Sequence, residues 1–394
     1  MQREVYIVSG VRTAIGDFGG SLKDLPPTEL GAQVAREALL RANVSGDEVQ
    51  HVVFGNVVHT EAKDMYLSRV AAIGAGITQD APALTLNRLC GSGLQAIISA
   101  AQAVTLGDAD IAVAGGAENM SRAGYLSSGM RWGARMGDTA MIDMMTAALH
   151  DPFENIHMGV TAENLAESHQ VTRQQQDDLA LMSHHRAAHA IKEGRFKSQI
   201  LPVILKTRKG ETIFDTDEHV RTDATAADFS KLRTVFKKDG TVTAGNASGI
   251  NDGAAAVVLM DGETVARRKV TPLGRLVAYA HAGVDPRVMG IGPVPATRAA
   301  LKRAGLSLDQ IDVIESNEAF AAQACAVAKD LGFDPAKTNP NGSGISLGHP
   351  VGATGAILTV KALYELARTN GRYALVTMCI GGGQGIAAIY ERVH

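Results

Sequence analysis

Apolar residues in this chain fall either into short solid runs or into positions spaced by three and four. Val5-Tyr6-Ile7-Val8 and Val52-Val53-Phe54 are solid runs and predict strands. Between them, Leu30, Val34, Ala38 and Ala42 share one face of a predicted helix. Residues 111–114 form a further run, expected to be a buried strand ending at Gly115-Gly116. Strands that alternate with helices in this way predict an α/β protein, its sheets mixed or parallel and covered by helices.

The second half repeats the syntax of the first. Ala38-Leu39-Leu40-Arg41-Ala42, followed by residues 44–49, returns as Ala300-Leu301-Lys302-Arg303-Ala304, followed by residues 306–311. A predicted strand follows each copy, at 51–54 and at 312–315, and the run 111–114 has its counterpart at 374–377. An ordered series of matches at nearly constant offset implies one duplication rather than an array of short repeats. The polar stretch 121–246 has no counterpart and reads as an insert. The expected organisation is therefore a first lobe of residues 1–120 with 247–270, an inserted domain 121–246, and a second lobe 271–394.

Composition narrows the function class. The 394 residues are 45% apolar but only 4% aromatic, so a large core would be built from Ala, Val, Ile and Leu. A formal net charge of -3 supplies no basic field to gather nucleic acid. Residues 195–238 nevertheless carry ten Lys/Arg against six Asp/Glu. That stretch is either solvated surface or a landing site for a phosphate-rich small ligand. Cys90, Cys325 and Cys379 are few, odd in number and far apart, which fits a reducing compartment better than a disulfide framework. No run approaches the roughly 18 apolar residues of a membrane span. The N-terminus reads as a first strand rather than a leader. A cytoplasmic protein with no membrane contact is expected.

Three motifs carry candidate chemistry. Cys90 sits in Asn87-Arg88-Leu89-Cys90-Gly91-Ser92-Gly93, after a predicted strand (83–89) and before a helix faced by Leu94, Ile97, Ile98, Ala101 and Val104. A thiol at a helix N-terminus is expected below the reference pKa of roughly 8.5. The bland alternative is a buried structural cysteine. His349 lies in Gly348-His349-Pro350, the proline fitting the first turn of a helix faced by Ala356, Val360, Leu363 and Ala367. An imidazole there can take a thiol proton, or it can be a satisfied turn histidine. Cys379 follows the predicted strand 373–378 at the place that Gly115 holds in the first lobe, and precedes Gly381-Gly382-Gly383. Those glycines can offer bare N–H donors to an oxyanion. Asn317, in Asn317-Glu318-Ala319-Phe320, stands between a predicted strand and a helix, where it can polarise a carbonyl or merely cap.

Other patterns fail. His184, His185 and His189 have helical spacing but lack a His-Glu-x-x-His pattern, so a solvated helix is expected rather than a metal site. Gly342, Gly344 and Gly348 do not make a dinucleotide fingerprint, because Leu347 stands where a glycine is needed. There is no Gly-x-Ser-x-Gly elbow and no Walker loop.

Together, residues 87–93, Gly245-Asn246-Ala247-Ser248-Gly249, 317–320, 341–350 and 379–385 resemble the thiolase family, specifically its bacterial acetyl-CoA acetyltransferases, the beta-ketothiolases. The resemblance runs essentially end to end. It implies a five-layered αβαβα sandwich of two similar lobes with a loop domain that covers coenzyme A. By the same resemblance, Cys90 carries the acyl group as a thioester. His349 withdraws its proton and shares a first oxyanion hole with a water held by Asn317. Cys379 removes the α-proton of the second acetyl-CoA, and the N–H groups of Cys90 and Gly381 form a second hole. CoA contacts map onto His157, Met158, Arg221, Ser248, Met289, Ala319 and Phe320.

The implied reaction is a reversible, ping-pong Claisen condensation of acetyl-CoA with acetyl- or acyl-CoA. CoA thioesters enter as substrates, with no cofactor or metal, and the implied assembly is a homotetramer. The alternatives are a degradative 3-ketoacyl-CoA thiolase with longer-chain preference, a noncatalytic acyl-CoA-binding protein, and a cysteine hydrolase. Three positions depart from the family pattern. Thr234 replaces the usual proline, which suggests a looser loop over CoA. Asn119 replaces serine beside the expected active-site rim, and Ser316 replaces alanine.

Overall fold

The computed structural model describes residues 3–207 and 210–393. Met1 and Gln2 of the expected leaderless start, and Arg208 and Lys209 of the basic stretch, lie outside the described residues. In the first lobe the elements are β1 (Val5–Thr13), α1 (Pro27–Ala42), β2 (His51–Gly55), α2 (Leu67–Ala75), β3 (Ala83–Leu86), α3 (Ser92–Leu106) and β4 (Ile111–Asn119). After α4 (Met158–Ser168) and α5 (Arg173–Lys192) of the insert, β5 (Asn251–Asp261) returns to the first sheet. The second lobe holds β6 (Gly274–Gly283), α6 (Pro293–Ala304), β7 (Val313–Ser316), α7 (Ala321–Leu331), α8 (Thr354–Thr369), β8 (Tyr373–Ile380) and β9 (Gln384–Glu391).

Strand order makes the duplication visible. The first lobe is ordered β3-β2-β4-β5-β1, with β5 antiparallel to both neighbours. The second is ordered β7-β8-β9-β6, with β9 antiparallel to both neighbours. Its counterpart of β3 has shrunk to a single parallel bridge between Ile314 and Thr338. Among the described residues, the two sheets meet edge to edge only at Tyr6–Arg275 and Ile7–Gly274.

Helices α1 and α2 cover the first sheet, α6 and α7 the second, and α3 and α8 lie between them. These are the five layers. The expected faces of α1 and α3 are buried throughout, as β strands and helices with apolar stripes require.

The central pair decides where the site forms. A Cβ on Gly93 would stand 2.7 Å from Ala356 N, and one on Gly355 would stand 2.2 Å from Leu94 N. The first turns of α3 and α8 therefore touch backbone to backbone, which only glycine permits. The loops feeding these two helices carry Cys90 and His349.

Several expectations need correction. Gly115 and Gly116 lie inside β4, not at its end, and Cys379 lies inside β8 rather than after it. By strand register Cys379 thus matches Ala117, not Gly115. The glycines are there for close approach: a Cβ on Gly116 would stand 2.2 Å from Gly352 O. Helix α8 starts at Thr354 after a turn that contains Pro350, and Ala367 is exposed beyond its apolar face. Leu89–Leu106 does reach the length and hydropathy that would suit a membrane span, but 61% of it is buried, as suits a central layer between two sheets.

The insert is fastened to the first lobe. Ile200 and Leu201 pair with Arg12 and Thr13. The Arg12 guanidinium donates to both Asp217 carboxylate oxygens, at 2.7 and 2.9 Å, with both side chains fully buried. Removing one partner of such a pair leaves a buried charge uncompensated, at a cost of about 3–5 kcal/mol.

Candidate active site

The turn before α3 is wired by its own side chains. Asn87 Oδ1 accepts from Leu89 N at 2.8 Å, and the Ser92 hydroxyl accepts from Arg88 N while donating to Leu89 O. Leu89 is held at φ 45°, a left-handed conformation that a branched residue adopts only under constraint. Cys90 is the next residue, set just before Gly91 at the cap of α3.

Its thiol is the opposite of what helix position alone suggests. Burial pushes Cys90 up to about 11, although the N–H groups of Gly381 and Cys90 itself point at the sulfur and pull it down. A helix N-terminus stabilises a nearby anion by only about 1 kcal/mol, and removal from water costs an unpaired thiolate more. Cys90 therefore rests as a thiol and needs a base at the moment of attack. A thioester, once formed there, is neutral and carries no such penalty.

His349 is the candidate for that base. Burial pushes its imidazole down to about 4, so it is neutral at physiological pH. Its Nδ1 lies 2.6 Å from Thr354 Oγ1, and that hydroxyl spends its own hydrogen on Pro350 O. Thr354 must therefore accept from Nδ1–H, which makes Nε2 the acceptor nitrogen and the one that can take a proton. Asn317 Nδ2 lies 3.3 Å from Nε2. The backbone is held from the first lobe, where Asn251 Oδ1 accepts from His349 N at 2.9 Å. Gly348, at φ 110°, packs so close to Asn251 that a Cβ would stand 2.5 Å from its amide carbon.

Cys379 is fully buried within β8, and its thiol is pushed far up by burial and by the nearby Cys90 charge. The two sulfurs are thus electrostatically coupled neighbours. The turn of Gly381–Gly383 joins β8 to β9, with Gly382 and Gly383 at positive φ.

Cys90, His349 and Gly381 line one cavity of about 50 Å³, together with Met158, Ser248, Met289, Ala319 and Phe320. Val57, Leu89, Ala148, Leu149 and Val351 complete its apolar wall. Asn317 and Cys379 lie outside this lining, Asn317 against His349 and Cys379 beside Cys90. His157 caps α4 through Gly159 N and stacks on Phe236, which meets Phe320 edge-on at 6.2 Å. Arg221 belongs to a second cavity of about 320 Å³ with Asp223, Asp228, Phe229 and Gly245. Gly245 lines the outer cavity and Ser248 the inner, only three residues on.

The arrangement can acylate one thiol, move its proton to a neutral imidazole, and hold a carbonyl oxygen against two backbone N–H groups. Comparison with known proteins assigns the family. The thiolase N-terminal domain matches residues 5–263 and the thiolase C-terminal domain residues 270–392. The chain belongs to the thiolase family. It is an acyltransferase by that membership. It is 70% identical to beta-ketothiolase BktB of Cupriavidus necator over the full length of both chains. It is also 48% identical to the acetyl-CoA acetyltransferase of Shinella zoogloeoides, across 99% of this chain and 100% of that one. The crystal structure of the Bacillus anthracis acetyl-CoA acetyltransferase superposes with a TM-score of 0.98 at 45% identity, covering 100% of this chain and 99% of that one. Human mitochondrial 3-ketoacyl-CoA thiolase in complex with CoA gives 0.96 at 43% identity, covering 100% and 98%.

The places where this thiolase departs from its family pattern are structurally satisfied. Asn119 is fully buried rather than at the rim; it donates to Leu22 O and Leu25 O and caps the turn at Arg122. Thr234 donates to Lys238 O and bridges Thr243, closing the turn rather than loosening it. Ser316 is held through its main chain by the Asn339 amide. The histidine row on α5 is not uniformly solvated. His184 is buried, pushed down to about 4 by burial and then by His219, Arg221 and His185, and its Nδ1 accepts from Arg221 N.

Asn251, Thr354, Val57 and Leu149 were not legible as site residues. Each reaches the site by a contact between elements far apart in sequence, and no local motif marks them.

Proposed function

We propose that this thiolase is an acetyl-CoA C-acetyltransferase. Acetyl-CoA acylates Cys90 as His349 Nε2 takes the thiol proton, which then leaves on the departing CoA sulfur. His349, neutral again once CoA has left, takes the Cys379 proton. The Cys379 thiolate removes the α-proton of a second acetyl-CoA, the carbanion attacks the acyl-enzyme, and the expelled Cys90 sulfur recovers its proton from His349. Release of 3-ketoacyl-CoA regenerates the Cys90 thiol, and thiolysis runs the same steps in reverse. His157, Met158, Ser248, Met289, Ala319 and Phe320 would hold the pantetheine end of CoA and Arg221 the nucleotide end. CoA thioesters are substrates, and the cycle uses no further cofactor. The observation that carries the reading is the shared lining of Cys90, His349 and Gly381 around one small apolar cavity.

The size of that cavity favours short acyl groups. About 50 Å³ accommodates a group of only a few heavy atoms. CoA-dependent cleavage of four-carbon 3-ketoacyl-CoA should therefore exceed that of the ten-carbon substrate in kcat/KM. A clear preference for the ten-carbon substrate would instead assign the degradative, long-chain role.

We further propose that the enzyme works as a cytoplasmic homotetramer. Trp132 is 91% and Met136 96% exposed, beside exposed Tyr125, Leu126, Met141 and Ile142. So concentrated an apolar surface is what an assembly covers. The native mass of protein recovered from the soluble cell fraction should equal four chain masses. Recovery as a monomer, or in the envelope fraction, would oppose this.

A further inference from the structure

Glu118 sits one residue before the end of β4, fully buried, and takes no part in the proposed proton transfers. Four donors converge on its carboxylate. Oε1 accepts from Asn56 Nδ2 at 2.9 Å and Val58 N at 3.1 Å. Oε2 accepts from Val57 N at 3.0 Å and Gly352 N at 2.8 Å. Residues 56–58 form the loop after β2 in the first lobe. Gly352 lies in the second lobe, in the turn between His349 and Thr354.

This single carboxylate therefore grips both walls of the cavity, because Val57 and Val351 face it from opposite lobes. The fit is close: a Cβ on Gly352 would stand 2.4 Å from Glu118 Oε2 and 3.0 Å from Asn56 Cα. An acidic side chain is required by the donor count. Burial pushes the Glu118 carboxyl up to about 8, and the N–H groups of Val58, Val57 and Gly352 pull it back down. Glutamine in its place must turn an NH₂ group toward two of the four donors. A packed core with no ligand to position has little reason to keep a buried carboxylate, since burying it is costly.

We propose that Glu118 is a positioning residue for acyl transfer, clamping the Val57 loop to the Val351–Gly352 turn so that Cys90 and His349 keep their reactive alignment. The proposal rests on Cys90 being the acylated nucleophile. Misplacement of reacting groups by about 1 Å costs on the order of 100-fold in rate.

The test is the single-turnover rate at which acetyl-CoA acylates Cys90, read by quenched-flow mass spectrometry, alongside kcat and KM in thiolysis. Glu118→Gln should slow acylation by about 10- to 100-fold with KM within about twofold of wild type. Asp261→Asn supplies the stability control. Asp261 caps the short helix at 262–268, away from the cavity, so its loss should lower the melting temperature and leave acylation unchanged. If E118Q does not accumulate, Gly352→Ala strains the same clamp from the second lobe and is held to the same criterion. Loss of rate no greater than in D261N, or a change confined to KM, would overturn the clamp. A wild-type enzyme with no label on Cys90 would overturn the underlying site reading instead.

Discussion

Cys379→Ala should take up an acetyl group on Cys90 at close to the wild-type rate and then stall. The acylation half-reaction needs the Cys90 thiol, the His349 base and donors to the thioester oxygen, and none of these touches Cys379 through a hydrogen bond. Condensation, by contrast, needs a base at the α-carbon of the second substrate, a role the proposed cycle gives to the Cys379 thiolate. Positioned acid–base groups contribute about 100- to 10,000-fold, so condensation should fall by that factor while acyl label accumulates. Burial holds Cys379 protonated at rest, the state in which it would serve as the acid in thiolysis. Radiolabelled acetyl-CoA, with label counted on protein and in product, checks both halves. Loss of protein label in this variant would contradict the division of labour, as would undiminished product.

His349→Ala should cut the acylation step itself, again by about 100- to 10,000-fold. The pH dependence carries the sharper information. With Cys90 pushed up to about 11 and His349 down to about 4, the reactive thiol–imidazole pair is fully present across the neutral range. The wild-type acylation rate should be flat there and fall as pH drops toward 4, when the imidazole gains a proton. Stability follows in the same direction. The folded imidazole titrates near 4 and the unfolded one near the usual value of about 6.5, so the unfolded chain binds more protons between these values. Stability is therefore lost as pH falls through that window, and the H349A variant should lose less of it. A wild-type rate that climbs through pH 8–9 would mean that Cys90 reacts as a preformed thiolate, contrary to its burial.

The catalytic motifs were readable because each is local. Cys90 and His349 stand in glycine-marked turns and Cys379 in a strand that runs into one, and each pattern is written in consecutive residues. The duplication was readable for the same reason, as the syntax of 38–54 recurs at 300–316. The stretch without a counterpart reads as an insert on the same ground. What the strand ends do was misread, because Gly115 and Gly116 look like a terminus yet serve the approach of Gly352.

The protonation state of Cys90 was misread for a deeper reason. Helix position is a property of the sequence neighbourhood, whereas desolvation depends on everything packed around the sulfur, including Gly381 from the other lobe. Asn251, Thr354 and Glu118 were invisible on the same ground: an asparagine, a threonine and a glutamate in strands or turns carry no mark until the partner backbone arrives.

By itself, then, the amino-acid order determined the elements, their repetition and the candidate reactive atoms, since these depend on residues a few positions apart. The tertiary structure alone decided that Cys90 and His349 share one cavity with Cys379 buried beside it, that burial holds the protons on both thiols, and which side chains pin the walls. Solvent exclusion and contacts between lobes act through space, and neither is encoded in any single stretch of chain.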